Sequence, residues 1–557
     1  MKKNNFEEWT KEELIKEIDQ LKKRKKYGLV WEVANEEIVE KCINEFPIIE
    51  LVKNKQIYKK NCQSNGIIIE GDNFHSLSVL NYTHKKKIDV IYIDPPYNTG
   101  SRDWKYNNNY VDEEDRFRHS KWCSFMYNRL KLTKDLLTDD GIVIASIDNN
   151  EFHNLRHILE EIFPNKEIVT TVIQHNFRGR AKNNFSLTHE YLIWVLPANK
   201  DIITREDEKS ADGILNLRRT GQNSLKKDRP TMFYGILVND KLKIIGVTEV
   251  LKSSNDLNKL KKRENVKIVL PIDKEGTERR WYYGSERTIE EAKKGNVFAT
   301  IIKDKIEIKF KFSGIPKRRK SVWTDPKYDS SSHGTGLLNE ILGKDAFPFP
   351  KSLYAVKDCI EAATKKKNAI ILDFFAGSGT TGHAVLKLNE MDSGNREFIL
   401  CTNNEKTNSG TYKIAEDITY PRLKKVIEGY KKVKGIKCNL KYFKTKFIAA
   451  DYNDKNKILM AKNATDLICV KENVYELVLE NSDYKIFKNE NKFVFIIYNQ
   501  LSIEKIVKIL TKYKGQIKLY IFSLGIDFFE DEFKDFSNVE VEPIPEPILA
   551  TYRRIFY

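Results

Sequence analysis

Two short stretches carry residue types that could do chemistry. The first, residues 88 to 100, reads IDVIYIDPPYNTG: an apolar, β-branched run that ends in a carboxylate, Asp94, two prolines, Pro95 and Pro96, and an aromatic ring, Tyr97. A carboxylate oxygen followed by a proline carbonyl offers two hydrogen-bond acceptors, and the prolines fix the turn without adding an N–H that competes for them. An adjacent ring offers a face for a planar ligand. The bland alternative is a strand-ending turn with an Asp cap.

The second stretch, ILDFFAGSGTTGHA, reads as an apolar strand, a loop with Gly377, Gly379 and Gly382, and a helix start. Glycine lets the backbone approach a ligand at the carboxyl edge of a sheet, where doubly wound folds bind their ligands. Three ligands compete for the loop. For a nucleoside triphosphate the glycine separation is right, but His383 and Ala384 stand where Lys and Ser or Thr are needed. A dinucleotide fits the three glycines, with Glu405 ending the next strand where a carboxylate takes ribose hydroxyls. The polar Ser378, Thr380 and Thr381, together with the DPPY stretch elsewhere in the sheet, favour S-adenosylmethionine, which needs the same acidic strand end but carries no pyrophosphate.

Together DPPY and FAGSG resemble the amino-group DNA methyltransferases, and their order, catalytic stretch first and glycine loop second, resembles the β class. A narrower resemblance is to the modification subunits of type III restriction-modification systems. It rests on KKRKKYGLVWE, DPPYNTG, GIVIASIDNNE, RRTGQNSLKKDRP, PIDKEGTERRW, FPFPKSLYAVKD, DFFAGSGTTGHAV and LKYFKTKF, which occur in that order between residues 22 and 447.

The resemblance implies a site-specific enzyme that moves a methyl group from S-adenosylmethionine to the N6 amine of adenine in double-stranded DNA. That amine is a weak nucleophile because its lone pair is delocalised into the ring. Asp94 and the Pro95 carbonyl would draw on its two N–H groups, and Tyr97 would stack on the base after it is flipped from the duplex. Asp94, rather than Ser, points to adenine; N4 of cytosine is the alternative base. The residues expected around the cofactor are Asp94, Asp373, Phe375, Gly377, Gly379, Thr380 and Glu405, with Lys351 and Ser352 of FPFPKS as candidates for its carboxylate. Asp373 equally suits capping the next helix, and Phe347 and Phe349 equally suit a plain core. Neither a metal nor a covalent enzyme intermediate is required.

These residues need a scaffold, and residues 66 to 200 read as alternating strands and helices, a grammar that returns at 368 to 405. The expectation is an α/β fold: a Rossmann-like, doubly wound sheet in permuted order. The expected parts are an N-terminal helical segment (1–60), a catalytic half (61–198), an insertion (199–332), a cofactor-binding half (333–447) and a small C-terminal α/β domain (448–557). Near the N-terminus, Thr10 as N-cap, Glu13 closing a capping box, and Trp9 stapling onto Leu14 predict a helix with the stripe Leu14, Ile15, Ile18 and Leu21.

The chain of 557 residues carries 96 Lys and Arg against 79 Asp and Glu, a formal charge of +17, which favours a polyanionic partner. The insertion concentrates that charge and is the expected target-recognition domain. Arg178, just before it, and Arg218, Arg219, Lys227, Arg229, Arg279, Arg280, Lys317, Arg318 and Arg319 are its candidate DNA contacts, interleaved with Tyr234, Trp281, Tyr282, Tyr283 and Trp323. The resemblance further implies a homodimer and a helicase-nuclease restriction subunit on a separate chain. Seven cysteines without metal-ligand spacing, no apolar signal core and no run of about 18 apolar residues point to a cytoplasmic protein off the membrane. Two rivals remain from this reading: a recognition subunit without catalysis, and an RNA-directed enzyme.

Overall fold

In the strand Ile88–Ile93, Ile91 and Ile93 point into one apolar core while Val90 and Tyr92 point into another. A strand apolar on both faces belongs inside a sheet covered on both sides, and the structure, a computed structural model, has that arrangement. It describes residues 10–11, 36–60, 62–106, 109–179, 184–205, 213–259, 264–312, 318–343, 347–405, 412–450, 453–490, 492–523 and 529–556.

The main sheet has ten strands. In spatial order they are Glu45–Leu51, Asn439–Ala449, Asn65–Glu70, Glu397–Thr402, Ile370–Asp373, Ile88–Ile93, Leu137–Ile147, His189–Pro197, Lys166–Gln174 and Val322–Trp323. Neighbours run parallel except where Glu45–Leu51 and His189–Pro197 run against theirs. The helices Asn73–Thr83, Arg118–Thr133 and Phe152–Ile162 feed the core on one face, and Leu353–Ala363 and Thr380–Asp392 the core on the other. The expected doubly wound α/β sheet is therefore present.

Two strands far apart in sequence, Ile370–Asp373 and Ile88–Ile93, lie side by side, with Leu372 opposite Ile91. Each is followed by a helix on a different face, so the chain diverges there. Such a switch point opens a crevice beyond the carboxyl ends of the strands.

Several boundaries differ from expectation. The chain separates into one compact unit of residues 1–204 and 320–557 and a second of 205–319. Residues 320–332 leave the expected insertion because Val322 and Trp323 pair in parallel with Val172 and Ile173. The strand Lys166–Gln174, which sequence reading passed over, supplies that pairing. In the expected helical segment, Glu37–Asn44 is a helix but Glu45–Leu51 is an edge strand; the helix expected from Thr10 falls almost wholly outside the described residues.

The C-terminal part holds a five-stranded sheet, ordered as in sequence from Glu476–Glu480 to Val539–Ile544. It is no free appendage. Ile544, Ile548, Leu549 and Tyr552 join the core of the main sheet, and Tyr552 Oη donates to the Pro47 carbonyl at 2.5 Å.

The second unit contains two three-stranded sheets around Leu217, Tyr234, Ile236, Trp281, Ile308 and Phe310. Tyr234 and Trp281 are thus core residues, as is Trp323 in the first unit. None of the three is free to stack on a base. Tyr282 remains exposed. Among the described residues no helix is long and apolar enough to cross a membrane.

Candidate active site

The turn after Ile93 is held from several sides. Trp122 Nε1 donates to the Pro96 carbonyl at 2.7 Å, which removes that carbonyl from ligand contact. Asn98 takes a left-handed conformation, φ 55°, that Asn tolerates better than most residues. Its Nδ2 donates to Glu151 Oε1 at 2.5 Å, and its Oδ1 accepts from Trp104 Nε1 at 3.0 Å. Glu151 is fully buried and also accepts from Asn154 Nδ2 at 2.6 Å. The stretch GIVIASIDNNE thereby braces the DPPY turn through its final carboxylate.

Tyr97 is half-buried, and its hydroxyl meets Ser146 Oγ at 2.9 Å and receives Lys351 Nζ at 2.5 Å. The Lys351 ammonium lies 4.6 Å from the centre of the Tyr97 ring. Lys351, expected at the cofactor carboxylate, is committed elsewhere: Nζ is 3.1 Å from Asp94 Oδ1 and 3.1 and 3.0 Å from Glu190 Oε1 and Oε2. Ser352 is buried, and its hydroxyl donates to the Lys327 carbonyl at 2.8 Å.

Glu190 was missed in the sequence. The available signal was a carboxylate at the start of the otherwise apolar HEYLIWVL. Ser146 Oγ donates to it at 3.2 Å, and His175 Nε2 lies 3.4 Å away. His175 therefore sits in the site, while Arg178 farther along HNFRGR is exposed. Burial pushes the Asp94 carboxyl up, against the pull of Lys351. Burial opposes the Glu190 charge as well, but Lys351 and His175 outweigh it and hold that carboxyl low. The two carboxylates in turn hold the Lys351 ammonium above its ordinary range despite desolvation.

The glycine loop stands at the neighbouring strand end. Gly377 and Gly379 have φ of 47° and 78°, in the left-handed region where a Cβ is costly. Asp373 turns back on the loop rather than outward: Oδ1 accepts from the Phe375 amide at 2.9 Å and Oδ2 from Thr381 Oγ1 at 2.5 Å. Burial pushes its carboxyl up to about 7, with those two bonds opposing and the Asp94 charge adding. Phe375 is half-buried, its ring 5.8 Å from that of Phe125. Phe347 approaches Gly377, whose added Cβ would come within 3.2 Å of the ring, whereas Phe349 is largely exposed.

Thr380 is buried and its hydroxyl receives Arg422 Nη1 at 2.8 Å; the same nitrogen reaches Ser378 Oγ at 3.0 Å. Arg422, also missed, is wholly buried behind the loop, and desolvation lowers its pKa to about 9. Nothing in YPRLKK distinguishes it from a surface cation. Glu405 lies three residues beyond the strand Glu397–Thr402, exposed, with Lys105 Nζ at 3.9 Å; partial loss of hydration raises its pKa, with Lys105 opposing.

In the second unit, Lys227 and Arg229 are exposed and Arg218 and Arg219 half-buried. Arg279 binds Asp273 and Ser224 Oγ, each at 2.7 Å. Arg280 is a correction: only 3% exposed, it donates to the Asn223 carbonyl at 2.7 Å and holds the fold together from inside. Arg318 is exposed and Arg319 half-buried; Lys317 lies outside the described residues.

The model of the DNA methylase family matches residues 88–409. Among curated proteins, the EcoPI Mod subunit of a type III restriction-modification enzyme from Escherichia phage P1 is 32% identical over 67% of this chain and 64% of its own length. The type II methyltransferase M.KpnI of Klebsiella pneumoniae is 34% identical over 69% of this chain and 92% of that protein. Among solved structures, the M1.HpyAVI–SAM complex matches 60% of this chain and 92% of that one at 12% identity and a TM-score of 0.27. The chain thus spans just under two thirds of the phage relative and nearly all of M.KpnI.

Proposed function

This chain belongs to the DNA methylase family, and from that membership we propose that it transfers a methyl group from S-adenosylmethionine to N6 of adenine in double-stranded DNA. The observation that carries the reading is the adjacency of Asp94 and the Gly377–Gly379 loop at the switch point of the sheet.

The chemistry of the crevice suits the cofactor. Two left-handed glycines keep side chains off the loop backbone, so a nucleoside can approach it closely. The crevice edge carries Asp94 and, just beyond the next strand, Glu405, and the loop's basic neighbour Arg422 is buried behind it. An acidic edge suits a sulfonium and repels a pyrophosphate. Bound there, S-adenosylmethionine supplies a methyl group on a sulfonium, open to attack by a nitrogen lone pair. Glu405 would hold the ribose hydroxyls. Asp373 orders the loop, and Ser352 fastens FPFPKS to the Lys327 carbonyl.

Asp94 accepts one hydrogen of the target amine and the Pro95 carbonyl the other, which localises the nitrogen lone pair toward the methyl group. Tyr97 packs against the flipped base, and its hydroxyl contacts fix the plane of the ring. Holding amine and methyl in line converts a two-body encounter into a positioned displacement.

DNA engagement is assigned to the 205–319 unit, with Lys227, Arg229 and Tyr282 as its exposed contacts. The match to a curated Mod subunit supports a role as the modification subunit of a type III system; that it acts as a homodimer, with a helicase-nuclease on a separate chain and in the cytoplasm, is part of the same proposal. Incubating the protein with tritiated cofactor and duplex DNA, then hydrolysing the DNA to nucleosides, tests the reaction. Label in N6-methyladenine is the expected outcome. Label in N4-methylcytosine would transfer the same mechanism to the other base, and unlabelled DNA would reject the reading.

A further inference from the structure

Among the described residues four phenylalanines are exposed: Phe117, Phe177, Phe185 and Phe349. All four stand around the crevice, at one edge of the main sheet. Phe117 precedes Arg118, whose carbonyl accepts from Asn98 Nδ2 in the turn after Asp94. Phe177 and Phe185 lie in the loop between the strands Lys166–Gln174 and His189–Pro197, whose ends bring His175 and Glu190 into the site. Phe349 lies on a short span of chain that crosses the crevice: Phe347 approaches Gly377 of the glycine loop, and Lys351 reaches Tyr97 and Asp94.

Phe349 is 81% exposed, and its φ of 51° lies in the left-handed region, a costly conformation for a bulky residue. Its own packing does not hold it there; its neighbours do. Pro350 is buried, and its carbonyl leaves no room for a Cβ on Gly334, while Lys351 is tied to Tyr97 and Glu190. Such strain, kept so that an apolar ring meets water, marks a functional position. A ring lining the cofactor crevice would be shielded by its walls, whereas this one faces outward to the macromolecular substrate.

The pattern recurs across Glu190. Lys351 and His175 approach that carboxylate at 3.0 and 3.4 Å; Phe349 lies two residues before the one and Phe177 two after the other. Phe185 is 80% exposed in the same loop, where Gly179 packs so closely on Ser186 that a Cβ would meet its side chain at 2.7 Å. Arg178 adds an exposed cation beside Phe177. Flat apolar faces next to positive charge suit nucleobases and the phosphates between them.

We propose that Phe349, with Phe177 and Phe185, forms an aromatic rim of the catalytic unit that stacks on the DNA bases left without a neighbour when the target base is flipped. The kinetic consequence rests on the methyl-transfer reading. Unstacking is part of the cost of flipping, and aromatic faces beside Tyr97 offset it whatever the base. The rim therefore acts on flipping and not on the choice of sequence.

Two experiments on the full chain test the rim. Duplex DNA with 5-iododeoxyuridine in place of thymidine, irradiated in complex with the protein, should leave adducts on Phe349 and on Phe177 or Phe185, read by mass spectrometry of tryptic peptides. In single-turnover methylation of unmethylated genomic DNA, Phe349→Ala should slow transfer about tenfold. Cofactor affinity by isothermal titration calorimetry and stability in urea should both be unchanged. Phe349→Tyr should keep the rate, and Phe349→Leu, apolar but not planar, should lose it. On an oligonucleotide duplex copied from a stretch that the wild type methylates, a mismatch opposite the target should restore most of the Phe349→Ala rate, because an unpaired base is easier to flip. Adducts confined to residues 205–319, equal rates for Phe349→Leu and Phe349→Tyr, a deficit that the mismatch leaves untouched, or weaker cofactor binding by Phe349→Ala would each overturn the proposal. Absence of transfer by the wild type would reject the methyltransferase reading, and the iododeoxyuridine adducts would still decide whether the rim binds bases.

Discussion

Glu151 and Asn98, 53 residues apart in the chain, are joined by a 2.5 Å hydrogen bond in the interior. The bond ties the end of one sheet strand's loop to the turn that follows another. With Trp104 Nε1 on Asn98 Oδ1, it holds Asn98 in its left-handed conformation.

Replacing Glu151 with Ala removes the carboxylate acceptor of Asn154 Nδ2 and the shorter of the two bonds from Asn98 Nδ2, which keeps only the Arg118 carbonyl at 3.3 Å. Losing hydrogen bonds to a charged acceptor costs about 1.5–3 kcal/mol, so urea denaturation should show a loss of that order. Methyl transfer should fall further than stability, because the turn carrying Asp94 and Tyr97 loses its brace. Transfer that survives in proportion to the folded fraction would remove the turn from this account.

Arg422 makes a different prediction. Its Nη1 supports Ser378 and Thr380 from behind the glycine loop. Arg422→Ala should weaken cofactor binding about tenfold or more, the effect of losing about 1.4 kcal/mol, as read by isothermal titration calorimetry. DNA affinity should be unaffected.

Asp373 should write its burial into the pH dependence of stability. Its carboxyl titrates near 7 in the folded protein and near 4 in an unfolded chain. The folded state thus binds the extra proton between those values. The associated stability is fully present below pH 4 and is lost as pH rises through 7, a difference on the order of 4 kcal/mol. Chemical denaturation from pH 4 to 8 should show this slope in the wild type and a flatter one in Asp373→Asn. Identical slopes would mean that Asp373 does not titrate as its surroundings require.

Arg280 and Arg229 should separate cleanly despite both being arginines of the inserted unit. Arg280→Ala removes a side chain only 3% exposed together with its hydrogen bond to the Asn223 carbonyl and should cost the unit about 1–3 kcal/mol, measured by denaturation. Arg229→Ala, at an exposed position, should leave stability intact. It should weaken DNA binding at all sequences and reduce the salt slope by about one, as followed by fluorescence anisotropy.

Much of the scaffold was legible because its signals are local. The two-faced apolar run before Asp94 and the glycines after Asp373 state strand, edge and loop within a dozen residues, since strand period and left-handed backbone are properties of near neighbours. The edge strand Glu45–Leu51 and the Lys166–Gln174 strand escaped because their polar and charged positions blur the alternation. Trp281 and Arg280 were misplaced for a related reason: composition marks a basic, aromatic segment but does not say which side chains its core consumes.

The sequence alone therefore determined a permuted doubly wound sheet and the two stretches where chemistry sits. Tertiary structure decided what surrounds them. Lys351 meets Tyr97 across 254 residues, Glu190 meets Lys351 across 161, and Arg422 meets Thr380 across 42. Such meetings depend on which strands lie side by side and on how helices cover them, a long-range outcome of burying both faces of one sheet. No short window of residues contains it.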